Sequence, residues 1–248
     1  MKRWILLRGL MRDSRHWGPF PAMLEQTLGA DEVVCIDLPG NGTRYRWPSP
    51  ASIPELVDAC RSDPLLLGRR DRFGIIAMSL GAMVATEWAA QYPDEVGALV
   101  LINTRLRPFN PLWHRLRPQN YPVILHLLLR AAPDAEVECA VLAMTSRRFR
   151  DAPELLADWC RWRAAMPVSR RNVLRQLLAA ARYRAPREAA VPTLLLASEG
   201  DSLVAGDCSR NIARQWQVRL VVHPYAGHDL PLDDPQWVLN QIRLWQAA

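Results

Sequence analysis

Along the chain, short runs of unbroken apolar residues alternate with longer stretches of helical periodicity. The runs are Trp4-Ile-Leu-Leu7, Val33-Val-Cys-Ile36, Phe73-Gly-Ile-Ile-Ala77, Ala98-Leu-Val-Leu-Ile102, Thr193-Leu-Leu-Leu-Ala197 and Leu220-Val-Val222. Each is continuously hydrophobic rather than alternating, which marks strands covered on both faces in a parallel sheet. Between most of them the pattern predicts helices, at Pro19 to Leu28, Ile53 to Ser62, Ala82 to Gln91 and Ala205 to Trp216. Strand and helix in alternation predict an α/β fold with a mostly parallel, doubly wound sheet of about six strands.

The rhythm breaks once. Residues 104–190 contain no strand pattern, only helical stretches (Tyr121 to Ala132, Ala135 to Met144, Pro153 to Ala165, Ser169 to Tyr183) separated by prolines. A crossover between parallel strands needs only about a dozen residues. The pattern therefore predicts an all-helical subdomain, or cap, at 104–190, packed over the strand ends and inserted into a core made of 1–103 and 191–248.

Composition sharpens this picture at three points. With 248 residues, half of them hydrophobic, the chain can bury a large core as a single domain. The formal net charge is +6, but residues 104–190 hold sixteen arginines against seven acids, a net of +9, so the remainder is net negative. A basic segment raises the question of nucleic acid, yet no nucleic-acid-binding motif accompanies it, and no such partner is expected. The five cysteines (Cys35, Cys60, Cys139, Cys160, Cys208) form no CxxC pair, so neither a disulfide framework nor a zinc site is expected. No stretch reaches the roughly 20 apolar residues of a membrane span, and the start, MKRWILLRGL, lacks a signal-peptide pattern. A cytoplasmic location is expected.

The stretch RFGIIAMSLGAMVATEW, Arg72 to Trp88, carries the candidate chemistry. A strand that turns at once into a helix strains its turning residue and requires small residues two before and two after it. Ala77 and Gly81 meet that demand around Ser79. The turn lifts the Ser79 hydroxyl above the sheet edge, beside a helix N-terminus whose free N–H groups favour developing negative charge. Two later loops add to it, each at the carboxyl end of an expected strand, where sites of this architecture lie. They are Ser198-Glu-Gly-Asp-Ser-Leu-Val204 and Val222-His-Pro-Tyr-Ala-Gly-His-Asp229.

Serine, then acid, then histidine at these places resembles the α/β-hydrolase fold superfamily over nearly the whole chain. The resemblance implies Ser79 as nucleophile, His228 as general base and Asp201 as the carboxylate that orients it, with Glu199 as fallback. It implies an oxyanion hole from the backbone N–H groups of Leu80 and Leu10, the latter in the loop Arg8-Gly-Leu-Met-Arg12. Gly9, Trp17 and Met78 flank the expected pocket as candidates to bind substrate, although an aromatic or sulfur side chain there is an equally good core filler. The run Cys35-Ile-Asp-Leu-Pro-Gly-Asn-Gly42 resembles a structural loop of the family. Ala77 replaces the family's first elbow glycine, and Arg8 stands where a histidine usually precedes the oxyanion-loop glycine, either as a structural ion pair or as an attractor of anionic acyl groups. The two strands that often precede this loop in the family are expected to be missing.

The activity this implies is hydrolysis of carboxylic esters through an acyl-enzyme, without metal or cofactor. In size, helical cap and cap charge the chain is also similar to the branch that removes methyl esters from acyl chains on acyl carrier protein, such as pimeloyl-ACP methyl ester. An acidic carrier docking on the basic cap is accordingly an expectation beside that of a small-molecule ester. Carbon–carbon bond hydrolysis, perhydrolysis and acyl transfer stay open on the same three residues, as does a binding protein without turnover. His16 reads as a helix-capping or surface residue, and His114, His126 and His223 lack a second ligand at metal spacing.

Overall fold

The computed structural model describes residues 1–66, 71–111, 114, 116–130 and 132–247. Six strands, β1 (Arg3–Leu7), β2 (Glu32–Ile36), β3 (Phe73–Met78), β4 (Val96–Ile102), β5 (Thr193–Ser198) and β6 (Arg219–His223), form one sheet in the order β2-β1-β3-β4-β5-β6. Every neighbouring pair is parallel. All six apolar runs are thus strands, each within a residue or two of the expected bounds. The chain first winds outward from β1 to β2 and then returns to build the other side from β3. This makes the gap between β1 and β3 the switch point, where a crevice opens at the carboxyl ends.

Successive strand residues point to opposite faces, and both faces are covered. Ile5, Leu7, Ile75, Ala77, Leu99, Leu101 and Leu195 join one buried cluster with helices α2 (Ile53–Arg61) and α3 (Leu80–Gln91). Trp4, Leu6, Ile76, Met78, Val100, Ile102, Leu194 and Leu196 join the other, with α1 (Phe20–Leu28) and a helix near the end of the chain. Burying one such side chain contributes about 1.5–3 kcal/mol, so the unbroken apolar runs are what a two-sided sheet demands. Helix α3 is buried on nearly all sides. That is why its sequence shows little amphipathic contrast and why its N-terminus is held rigidly at the crevice.

Among the described residues no strand lies between β4 and β5. The segment holds α4 (Tyr121–Leu129), α5 (Asp134–Thr145), α6 (Pro153–Ala165) and α7 (Arg170–Arg182). Helix α4 stops short of the expected end at Ala132: Arg130 caps it in extended backbone (φ −88°, ψ 152°), Ala132 is not helical, and residue 131 lies outside the described residues. Polar side chains of α7 stitch it to the core loops. Asn172 accepts from Ser49 N (2.9 Å) and donates to Trp47 O (3.1 Å), and Gln176 donates to Asn41 Oδ1 (2.9 Å) and Pro39 O (3.3 Å). Helix α8 (Asp207–Trp216) follows β5, and a short turn α9 (Leu230–Asp233) leads into α10 (Pro235–Gln246), which closes the second face. Helix α10 is not among the helices that the sequence pattern predicts. No helix among the described residues is long and apolar enough to cross a membrane.

Candidate active site

Ser79 is the single residue between β3 and α3, and its backbone sits at φ 53°, ψ −115°. A non-glycine residue there stores about 1–3 kcal/mol of strain, which the buried strand and helix on either side enforce. The turn is tight enough that a Cβ on Gly81 would lie 2.5 Å from Arg8 O and 2.6 Å from Leu7 O. The missing side chain of Gly81 therefore lets α3 approach the end of β1. Gly9 performs the same service from the other side, since a Cβ there would lie 3.2 Å from Ser79 Cβ.

Asp201 stands in the loop after β5. Its Oδ1 accepts the N–H groups of Leu203 (2.8 Å) and Val204 (2.9 Å), which leaves Oδ2 to receive His228 Nδ1 at 2.7 Å. A carboxylate accepts, so in this pairing His228 Nδ1 donates to Asp201. Both side chains are buried. Glu199, the fallback acid, pairs instead with Arg210 at the surface.

Ser79 and His228 line one cavity of about 170 Å³ together with Gly9, Leu10 and Met78. The serine and the imidazole share its wall without a hydrogen bond between them, a contact that in empty sites commonly tightens only when substrate fills the gap. Leu80 is the first residue of α3, so its N–H has no partner four residues back within the helix. The roof comes from the inserted helices, through Ile124, Leu127, Val137, Val141, Val173 and Leu177. Trp17 is placed differently from expectation. It is not among the residues lining this cavity; it is buried in the core, stacked on Phe20 with ring centroids 5.3 Å apart. The Arg8 guanidinium lies 4.9 Å above its ring.

Three ionic features surround the cavity. Arg8 makes a two-pronged ion pair with Asp229, directly after His228, with Nη1 to Oδ1 at 3.0 Å and Nη2 on Oδ2. Burial pushes the Asp229 carboxyl up, but the charge and hydrogen bonds of Arg8 outweigh it and hold the group below the ordinary carboxylate range. The structure thus favours the ion-pair reading of Arg8. Deeper under the insertion, Glu138 is 1% exposed and is shared by Arg12 (2.6 Å) and Arg163 (3.3 Å). The Arg12 guanidinium lies 4.4 Å over the Trp159 ring. In the third, His16 serves as a cap but is buried: it accepts Asp13 N at 3.2 Å, and burial and Arg12 push its pKa down. Arg105, Arg130 and Arg170 complete the lining.

The sequence does not identify the partners of Arg8 and Arg12, because Arg8 and Asp229 lie 221 positions apart and Arg12 and Glu138 lie 126 apart. The one available signal was an acid directly after the candidate histidine. The histidines outside the site have local partners: His126 pairs with Glu136 (2.9 Å) and His223 accepts Ala226 N (2.8 Å). Among the described residues no group of three or more His, Cys, Asp or Glu side chains is placed to hold a metal ion.

The sequence profile of the Alpha/beta hydrolase family matches residues 4–241. A protein of Shigella flexneri named "Putative carbamate hydrolase RutD" is 27% identical, over 94% of this chain and 86% of its own length. A solved enol-lactonase from Burkholderia xenovorans superposes with a TM-score of 0.79 at 18% identity, covering 99% of this chain and 91% of that one. A thermophilic esterase from Thermogutta terrifontis gives 0.75 at 23% identity, covering 100% and 90%.

Proposed function

The chain belongs to the alpha/beta hydrolase family, and from that premise we propose that it cleaves carboxylic esters through a covalent acyl-serine. The observation that carries this reading is the buried His228–Asp201 link at 2.7 Å, facing the same cavity as the strained Ser79. Ser79 Oγ attacks the ester carbonyl as His228 Nε2 takes its proton. The backbone N–H groups of Leu10 and Leu80 receive the oxyanion, aided by the positive end of α3. His228 then protonates the departing alcohol, and in the second half-reaction it activates the water that releases the acid. Gly9 and Met78 form the floor against which the acyl group lies, and helices α4 to α7 act as a cap that excludes water.

The charge around the cavity supports a preference within esters. Among the described residues six arginines line it against one carboxylate, that of Asp229. Arg8 is spent on Asp229, and Arg12 and Arg163 share Glu138. The exposed Arg130 and Arg170 add positive charge at the cavity's rim, which favours an acyl group bearing an anionic end. An acidic carrier protein delivering such a group would find exposed arginines at Arg148, Arg161, Arg170 and Arg171. The similarity to a protein named for carbamate hydrolysis favours a second reading, a carbamate ester attacked by the same serine.

One experiment separates these. Wild type and Ser79→Ala are assayed on nitrophenyl esters and carbamates of varied chain length and terminal charge, with labelling by a fluorescent phosphonate. Wild type is expected to label and to prefer carboxylate-ended esters. Ser79→Ala should lose label and fall to a residual rate of about 10³–10⁴-fold over water. Full activity in Ser79→Ala would end the serine mechanism. A preference for carbamates would replace the ester reading.

A further inference from the structure

The first residue after β4, Asn103, has a role that none of the motifs above assigns. It is buried, and its backbone sits at φ 45°, in the left-handed region that asparagine tolerates better than most residues. Its carboxamide joins the two loops that carry the acid and the imidazole. Nδ2 donates to His228 O at 2.7 Å, with Ser198 Oγ (3.1 Å) and Gly227 O (3.3 Å) competing for the second hydrogen, while Oδ1 accepts Ser198 N at 2.9 Å. Its own N–H donates to Leu196 O at 2.9 Å. Ser198 ends β5 three residues before Asp201, and its carbonyl accepts Asp201 N at 3.3 Å.

We infer that Asn103 is a positioning residue that sets the spacing between Asp201 and His228, an inference that rests on the proposed triad. The sheet itself cannot do this. Strand β6 ends at His223, and its register with β5 ends at the pair Ser198–His223, so the five residues to His228 leave the sheet unpaired with it. The His228 carbonyl is held by the amide of Asn103 from a strand two places away in the sheet. Asn103 does not line the cavity, so it touches no substrate and acts only through His228 and Ser198. A misplacement of about 1 Å at a catalytic group can cost about 10²-fold in rate, and that is the scale on which a two-carbon amide linkage matters.

A merely structural role predicts lost stability with an unchanged rate per folded molecule, and the test is built on that difference. Asn103→Gly keeps the backbone conformation and removes only the amide. Asn103→Asp keeps the shape and removes the donor. Thr193→Val serves as a control, because it removes a buried hydrogen bond to Val191 O (2.8 Å) at the amino end of β5 without touching the site. Each variant is measured for kcat, KM and pH profile on a short nitrophenyl ester, with active sites counted by phosphonate titration.

The expected result is a kcat about 100-fold lower in both Asn103 variants with KM within twofold. In Asn103→Gly the acid limb should also move to lower pH, as the loosened Asp201 stabilises the imidazolium less. Thr193→Val should lose melting temperature and keep kcat. An unchanged kcat and acid limb in the folded fraction of either Asn103 variant overturns the inference. Activity surviving in Ser79→Ala on the same substrate would overturn the triad itself, which is a different outcome.

Discussion

The Arg8–Asp229 pair makes the sharpest prediction about what holds the site together. Both side chains are almost fully buried, at 3% and 4% exposure, and each is the other's carboxylate or guanidinium partner through two hydrogen bonds. Asp229→Asn keeps the shape and one acceptor but leaves the Arg8 charge in the core, supported only by its stack on Trp17. Removing one member of a buried pair costs about 3–5 kcal/mol, and the cation–π contact returns at most about 2 kcal/mol, which is already present in the wild type and so offsets nothing. At about 2–4 °C per kcal/mol for a domain of this size, the melting temperature should fall by roughly 6–20 °C. Replacing both members, as Arg8→Met with Asp229→Leu, should be far less damaging than the sum of the singles, because no charge is stranded. The sign with pH follows from the depressed Asp229 carboxyl. Its contribution is complete above the ordinary value of 3.8 and is lost as pH falls through the lower folded value, so Asp229→Asn should flatten that part of the acid limb. Urea unfolding of wild type, Asp229→Asn, Arg8→Met, Asp229→Leu and the double variant from pH 7 to pH 2 measures all of this. A single variant within about 1 kcal/mol of wild type, or a double variant as unstable as the summed singles, would refute the reasoning.

Three further outcomes follow from the same geometry. Gly81→Ala places a Cβ 2.5 and 2.6 Å from the carbonyl oxygens of Arg8 and Leu7 at the end of β1, so it should lose about 1–3 kcal/mol and lower kcat by shifting the loop that follows β1, read by calorimetry and ester kinetics. His16 is held neutral by burial and by Arg12; its folded pKa lies below 6.5, so stability should decline as pH drops through that value, and His16→Asn should remove that limb in urea titrations. Glu138→Gln leaves Arg12 with a neutral partner while Arg163 keeps Asp134 (2.8 Å), and should cost about 3–5 kcal/mol in chemical denaturation, while the more positive cavity lowers KM for carboxylate-ended esters relative to neutral ones.

Much of the frame was legible in the chain because its physics is local. An unbroken run such as Ile75-Ile-Ala77 can only be a strand with both faces buried, and the elbow at Ser79 is declared by Ala77 and Gly81 within five residues. Asp201 and His228 were legible through the order of strand ends, with Asp201 preferred to Glu199, and the geometry pairs Asp201 with His228. What stayed hidden depends on contacts between distant segments. Trp17 looked like a pocket residue because it is near the oxyanion loop in sequence, yet the cation above it and Phe20 beneath it turn it into the core. Asn103 carried no motif at all; its meaning appears only once β4, β5 and the histidine loop converge.

The seam between α7 and the core has a practical consequence for redesign. Pro39 O, Trp47 O and both backbone groups of Ser49 are satisfied by Gln176, Asn172 and Arg175. A shortened chain splicing β4 directly to β5 would leave those groups to water and uncover the apolar surface that Ala179, Ala180 and Tyr183 bury, and should collapse or precipitate rather than yield a minimal catalyst. Grafts that alter selectivity should exchange α4 through α6 and leave α7 in place as the permanent half of the insertion.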